Sequence, residues 1–491
     1  MGRKSQSKQS QKKNSGKENN KLIHNRKELN FLIDKLLKLT SIFQAACNVT
    51  KSWEHHLEIS EILRQITNIE LGYSSKNKRS PRQANVQNYL KWLGGNGAEF
   101  DGVDIAEFEG YEWGLKTVKA FNEGSLILTV PAKVMMTEKN AQESELSELI
   151  KVDPLLQNMP NITLALVLLL EKSSQDSFWK PYIDMLPEKY ATVLYFSNEE
   201  LSALKPSPVF ESALKLYRSI ARQYAYFCNK IHTLNIPVMK KLQEIFTFDN
   251  YRWAVSTVMT RQNNIQLGNS DVTAFIPLWD MCNHEHGKIT TDFNKEQDRG
   301  ECYALRDFKE GEQIFIFYGS RSNADLFLHN GFVYPNNRHD SLSLTLGVSS
   351  SDPLRETRLA LLTKLGLSGV THYNLYQGEN PVSPELLAFI RIFNMNQEEL
   401  AKWSGSSLPS DLVSFDATST AAVGNTLERR SHSYLLTRCK LIRAAYNKDK
   451  EEIEPDNLHR KNVKLLKECE VQILDSAIEY LARVLKDLAE E

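Results

Sequence analysis

The chain has 491 residues, which at ~150 residues per domain predicts about three structural units rather than one compact core. Sixty Lys and Arg stand against 61 Asp and Glu, so the net charge of -1 supplies no global field for nucleic acid or an anionic membrane, and any charge-driven partner has to be recognised locally. At 41% hydrophobic, 25% charged and 9% aromatic, the composition is that of a soluble globular protein and excludes collagen-like, wholly disordered and membrane-embedded classes.

Residues 1–22 carry seven Lys/Arg (Arg3, Lys4, Lys8, Lys12, Lys13, Lys17, Lys21) and Glu18 among Ser, Gln and Asn. With almost nothing apolar to bury, this tail is expected to be disordered. Its charge suits a nuclear signal as well as a plain solvated tail. Leu29, Leu32, Ile33, Leu36, Leu37 and Phe43 then recur at helical spacing, which predicts an amphipathic helix from Arg26 and a second through Trp53 to Ile66. Tyr73 to Asn85 reads as a polar linker interrupted by Pro81, with Arg82 inside it.

From Gly114 the pattern becomes β-like: Leu115 to Val118, a turn at Asn122-Glu123-Gly124, then Leu126 to Val130 stopped by Pro131, together a predicted hairpin. Nearly 190 residues later the design recurs as Cys302 to Leu305, Lys309-Glu310-Gly311 and the alternating run Gln313 to Tyr318. These are read as two halves of one β-domain flanking an insert. The insert, about 138–248, is predicted helical from the apolar run at Ile162, the capping box Ser197-x-x-Glu200 and the periodic stretch Leu214 to Leu234. That apolar run, Ile162 to Leu170, falls far short of the ~20 residues that cross a bilayer. After Asn337 a short strand-like run, Ser341 to Gly347, gives way to helical periodicity, ending in the stripe Ile473, Ala477, Leu481, Val484 and Leu488. Ser404 to Thr420 is expected to be a loop. The predicted fold class is α+β, divided into a tail (1–22), a helical segment with linker (23–93), a β-rich domain with its helical insert (94–337) and a helical domain (338–491).

The six cysteines form no Cys-x-x-Cys pair, which fits free thiols in a reducing compartment. The amino terminus lacks the apolar core of a signal peptide, and Gln6 stands where a myristoylation signal has Ser or Thr. The expected location is the cytoplasm, the nucleus or both.

Three segments concentrate polar groups. Arg261-Gln262-Asn263 closes a helix whose face carries Ala254 and Val258 in register with Arg261. Pro277-Leu278-Trp279-Asp280-Met281-Cys282-Asn283-His284 is an apolar strand running into a polar loop, and Phe317-Tyr318-Gly319-Ser320-Arg321-Ser322-Asn323 is a strand ending in Tyr and Gly. Singly, each reads as ordinary structure: an edge tyrosine, a loop asparagine, a helix end. Together and in this order they resemble the SET-domain protein methyltransferases, whose signatures include the Asn-His pair after an apolar strand and the Gly-Glu-x-x-x-x-x-Tyr-Gly run found here from Gly311 to Gly319. The segment Phe178 to Pro187, the insert and the helical carboxy-terminal domain narrow the resemblance to the Rubisco-lysine-methyltransferase-like subgroup, and the three segments to its actin-histidine branch.

The resemblance implies S-adenosylmethionine as cofactor and actin as protein substrate. It places Arg82, Tyr111, Glu112, Trp113, Arg261, Asp280, Asn283, His284, Tyr318 and Asn330 around the cofactor, with Tyr318 by the transferring methyl. It assigns Asn263, Trp279 and Arg321 to the substrate, and Asn263, Trp279 and Tyr318 to catalysis. These types suit the ligand: a carboxylate needs Arg, an ammonium and ribose need acceptors, and a methyl cation in flight suits an aromatic face and oxygen. Two departures stand out. Glu112-Trp113-Gly114 keeps only the second glycine of a glycine-aromatic-glycine turn, so Glu112 would hold a positive φ. Asn330 stands where relatives have a small hydroxyl residue.

Other arrangements were weighed on the same residues. Cys282, His284, His286 and Cys302 lack a usual zinc-ligand spacing, so no metal is expected. Cys282 beside His284 would be a poor nucleophile-base pair, because adjacent loop residues rarely align. A lysine methyltransferase and a non-catalytic SET-fold binding module are the two remaining alternatives. Histidine as the target has a chemical argument. Lysine must first lose a proton from a group of pKa ~10.4, whereas neutral imidazole, pKa ~6.5, already offers a lone pair and needs its tautomer fixed. Asn263 would do so by bonding the ring's other nitrogen.

Overall fold

The computed structural model describes residues 25–42, 49–72, 80–268, 270–405, 409–447 and 457–490. The basic tail, Phe43, Cys47 and most of the polar stretch before Ser80 lie outside them. The chain forms two compact units, one of the residues up to Tyr190 with Ala213–Gly319, the other of Ala191–Ser212 with Ser320–Glu491. The amino-terminal helices thus belong with the β-sheets, and the units divide at Gly319, not after Asn337.

The first unit opens with helices 25–41 and Val49–Glu70; the latter buries Ile59, Ile62, Leu63 and Ile66, one apolar stripe at helical spacing. Arg82 is not in a linker. Pro81 takes the N-cap of a helix, Arg82–Gly95, where its missing N–H leaves no bond unmade, and Val86, Tyr89 and Leu93 face the core.

Three sheets follow. Strands β1 (Val103–Phe108) and β2 (Glu112–Thr117) form a hairpin about Gly110, which supplies the required positive φ of 80°. Further on come β3 (Leu126–Pro131), β4 (Met136–Thr137), β5 (Asn263–Leu267), β6 (Ser270–Phe275), β7 (Asn283–His284), β8 (Thr291–Asn294), β9 (Arg299–Tyr303) and β10 (Gln313–Ile316). The sheet orders are β1-β2-β10-β7, β3-β9-β8 and β4-β6-β5.

The predicted hairpin of Leu115 to Val130 does not exist as such, because β2 and β3 lie in different sheets. Each instead pairs with the later copy of the design: Leu115 opposite Ile314, and Val130 opposite Gly300. Between them Phe121 and Phe308, both buried, exchange backbone hydrogen bonds of 2.9 and 2.8 Å. Two open turns therefore clasp one another, and the halves expected to flank an insert are adjacent in space. The insert is helical as expected, with Pro160–Ser173 over the apolar run, the capping box at Ser197 and Glu200, and the long helix Val209–Thr233.

The second unit is helical apart from one antiparallel ladder, β11 (Ser341–Thr345) with β12 (His372–Tyr376). Leu342, Leu344, Leu375, Leu386 and Phe389 share its core with Ile473, Ala477 and Leu481 of the final helix. The stretch expected to be a loop, Ser404 to Thr420, holds a 3-10 turn, Pro409–Val413, and the start of a helix, Ala417–Val423. Buried Arg391 orders it by donating to the carbonyls of Asp411, Leu412 and Ser414 at 2.8–3.1 Å while pairing with buried Glu428. Among the described residues no helix is long and apolar enough to cross a membrane.

Glu70 closes its helix inside the first unit, accepting hydrogen bonds from the Tyr224 hydroxyl and from Phe248 N–H at 2.9 Å. Burial pushes its carboxyl from 4.5 up to about 7. A folded pKa above the unfolded one means protonation stabilises the fold. That contribution is complete below about pH 4.5 and is lost as pH rises through about 7, up to ~3 kcal/mol for an acid shifted this far. Glu70→Gln, neutral throughout, should therefore gain stability relative to wild type as pH goes from 5 to 8. Parallel stability profiles from denaturant unfolding at each pH would contradict this.

Candidate active site

The site lies in the first unit, where a helix end, a helix start, the β1–β2 hairpin and the connection from β6 to β10 converge. Helix Phe248–Arg261 buries Ala254 and Val258, and the same face carries Arg261 at its last position. Gln262 is already extended, ψ 144°, so the chain enters β5 at Asn263. Arg261 Nη1 donates to the Asp280 carbonyl at 2.8 Å and lies 3.3 Å from the Asp280 carboxylate. The other Asp280 oxygen accepts the Tyr182 hydroxyl at 2.6 Å.

The Asp280 side chain is only 1% exposed; its oxygen nearer Arg261 has no well-formed hydrogen bond among the described residues. Expected at the cofactor, Asp280 is held in place by Arg261 and Tyr182. Burial pushes its carboxyl upward, against the opposing pull of Arg261 and the Tyr182 hydrogen bond. Burial opposes the charge on Arg261, but Asp280 together with Tyr190, Tyr182 and Tyr318 outweighs it and keeps the guanidinium protonated.

Arg82, on the first turn of its helix, donates from Nε to the Met185 carbonyl at 2.8 Å and sets its guanidinium 5.4 Å from the Trp113 ring centre. Burial, then the charge of Arg261, pushes it down to about 10. Arg82 and Arg261 thus lie near one another with only Arg261 paired to the buried carboxylate, leaving local positive charge that a ligand carboxylate would neutralise. A cleft of about 270 Å³ opens beside Arg82 and Trp113, rimmed by Glu107, Asp184 and Glu188.

Glu112 holds φ 59°, as the replaced glycine implied, and is exposed. Tyr111 is also exposed, its ring edge-on to Phe315 at 5.3 Å. Gly114 has no room for a Cβ, which would sit 2.5 Å from Gln313 Nε2 and 3.0 Å from Asn283 Nδ2. Asn283 Nδ2 donates to the Trp113 carbonyl at 3.1 Å. The pair Asn283-His284 runs parallel to Phe315-Ile316. Tyr318 follows immediately; its N–H donates to His284 Nδ1 at 3.2 Å and its hydroxyl to the Cys282 carbonyl at 2.7 Å. The expected closeness of Tyr318 to Asn283 is therefore present.

Trp279 is 4% exposed and its ring lies against Gly300. Asn263 donates from Nδ2 to the Arg261 carbonyl at 3.1 Å, a bond that also closes the helix end. Arg321 and Asn330 belong to the second unit, where Arg321 Nη1 donates to Asn330 Oδ1 at 3.0 Å. The residues around Arg261 that sequence reasoning passed over are three tyrosines, Tyr89, Tyr182 and Tyr190. Only Tyr182 had a signal, its place in the quoted segment Phe178 to Pro187. Among the described residues no group of three or more His, Cys, Asp or Glu could hold a metal ion, and the five described cysteines are free and buried.

Comparison with known proteins gives the family and the fold. Residues 112–319 match the SET domain model, and residues 349–486 match the Rubisco LSMT substrate-binding model. An actin-histidine N-methyltransferase of Gallus gallus is 39% identical over 461 residues, covering 91% of this chain and 78% of that protein. Its Danio rerio counterpart is 39% identical over 460 residues, covering 92% and 77%. Rubisco LSMT bound to AdoMet superposes with a TM-score of 0.65 at 21% identity, covering 84% of this chain and 94% of that one, which establishes a shared fold.

Breaking the central pair should be costly, because removing one partner leaves the other charge buried alone. Asp280→Asn is expected to destabilise the first unit by ~3 kcal/mol, and Tyr182→Phe, which removes one hydrogen bond, by ~1 kcal/mol. Equal melting temperatures for Asp280→Asn and wild type would show that the pair holds nothing.

Proposed function

Because the chain belongs to the SET-domain protein methyltransferases, in the family of the actin-histidine N-methyltransferases, we propose that it transfers a methyl group from S-adenosylmethionine to a ring nitrogen of a histidine in actin. The observation that carries this reading is the identity of 39% spanning both units, combined with a site in which the guanidinium of Arg82 lies near that of Arg261, which is paired to buried Asp280. Those guanidiniums suit the carboxylate of the cofactor, and the Asn283 amide and the backbone around Trp113 suit its polar groups. When bound, S-adenosylmethionine supplies an electrophilic methyl for displacement by a lone pair.

The chain's own residues then have three tasks. Tyr318, held by the Cys282 carbonyl, presents a fixed phenol oxygen and ring face, a partially negative surface suited to a positively charged methyl. Asn263 orients the target: with Nδ2 engaged by the Arg261 carbonyl, Oδ1 can accept the N–H of an imidazole, which leaves the other ring nitrogen's lone pair for the methyl. The protein substrate has to be held so that lone pair and methyl align, and the match of residues 349–486 to a substrate-binding model supports the second unit in that task.

The direct test incubates purified protein with isotope-labelled S-adenosylmethionine and actin, then locates the label by mass spectrometry. Label on histidine is expected. Label on lysine would replace histidine as the target, and absence of label would leave a binding module.

Asn263→Ala should slow histidine methylation about ten-fold with cofactor affinity unchanged, the effect of one lost hydrogen bond of ~1–2 kcal/mol. Asn263→Phe should also raise relative activity on a peptide with lysine in place of histidine, since it removes the imidazole's partner and adds an aromatic wall. A lowered melting temperature with an unchanged histidine-to-lysine ratio would make Asn263 a helix-end residue only.

A further inference from the structure

Between β6 and β7 the chain reverses at Leu278, whose backbone sits at φ 70°, ψ -53°. This is the region of the tight γ-turn, which residues with bulky side chains rarely adopt, and Leu278 is fully buried, so its side chain gains no relief from solvent. The site hangs from this turn. The Asp280 carbonyl and carboxylate receive Arg261, the Cys282 carbonyl receives Tyr318, and Asn283 reaches the Trp113 carbonyl, all within five residues of Leu278.

Two tyrosines from elsewhere in the chain grip the turn. Leu278 N–H donates to the Tyr89 oxygen at 2.6 Å, and the Tyr182 hydroxyl donates to the Asp280 carboxylate at 2.6 Å. Their rings lie 6.4 Å apart, and both residues are almost wholly buried. Tyr89 stands seven positions after Arg82, two helical turns on, so the helix that brings Arg82 to the site also brings the clamp. A phenol serving as acceptor for a buried backbone N–H does what phenylalanine packing cannot: without it, that N–H has no partner unless the turn relaxes.

We propose that Tyr89 and Tyr182 are positioning residues for methyl transfer, holding the Leu278–Asp280 turn in the conformation that aims Arg261, Asn283 and Tyr318 at the cofactor. The inference rests on the cofactor site proposed above. It goes further by separating residues that face the ligand from those that hold the strained turn behind them.

The test measures S-adenosylmethionine affinity by calorimetry, with steady-state kinetics on actin, for wild type, Tyr89→Phe, Tyr182→Phe and Tyr446→Phe. Tyr446 is the comparison because its hydroxyl also bonds a buried acid, Glu470 at 2.9 Å, but in the second unit. Tyr89→Phe should weaken binding about ten-fold and Tyr182→Phe about three-fold or more, raising KM for the cofactor while kcat at saturation stays within two-fold. Tyr446→Phe should lower the melting temperature with cofactor affinity unchanged. If Tyr89→Phe does not fold, Tyr182→Phe decides. Affinity within two-fold of wild type in the clamp variant that folds, or equal weakening in Tyr446→Phe, overturns the proposal. Wild type that binds no S-adenosylmethionine overturns the reading of the site and this inference with it, whereas wild-type binding with unaffected clamp variants overturns this inference alone.

Discussion

A buried ion pair between Arg261 and Asp280 ties the last residue of one helix to a turn between two strands. Such a pair contributes little net stability, since desolvating two charges consumes most of their attraction, but it fixes geometry because neither partner tolerates the loss of the other. Arg82 makes the arrangement asymmetric. A second guanidinium lies near the first, and burial, then that like charge, pushes its pKa down. An anionic group arriving there relieves that repulsion, so the cost of assembling two cations in the empty site becomes affinity for a carboxylate.

The surrounding architecture makes this pair possible from residues far apart in the chain. Neither β2 with β3 nor β9 with β10 forms a hairpin; each strand finds its partner across the insert. The clasp brings Gly114, Asn283 and Gln313 to one point, where a Cβ on Gly114 would push the Gln313 amide aside. The placement of these residues thus depends on long-range strand pairing.

Much of this was legible in the residues. Arg261 could be placed because the helix face carrying Ala254 and Val258 runs into it. Asn283-His284 and Tyr318-Gly319 could be paired because their order resembles a known family. Other features carry no such signal. A turn at Asn122-Glu123-Gly124 looks the same whether its strands pair with each other or, as here, with partners elsewhere. Pro81 marks a boundary in sequence, yet it starts a helix as readily as it ends one. Asp280 sits among ligand-type residues, and its grip on Arg261 and Tyr182 is visible only in three dimensions. Tyr89 falls on a helical stripe with Val86 and Leu93, where any aromatic residue reads as core; the acceptor role of its oxygen exists only in three dimensions. Ser404 to Thr420 has the composition of a loop, and its order comes from Arg391, which lies outside it in sequence.

The choice of imidazole over amine as nucleophile separates this site from a lysine-directed one more sharply than any other property, and it leaves a direct mark on the pH dependence of the reaction. Initial rates on limiting actin at saturating S-adenosylmethionine, measured from pH 5.5 to 10, give kcat/KM for the protein substrate. A histidine nucleophile predicts a rise through about pH 6.5, where the ring loses its second proton, followed by a plateau. A rate that keeps climbing toward about pH 10 would be the signature of a lysine amine and would contradict the assignment.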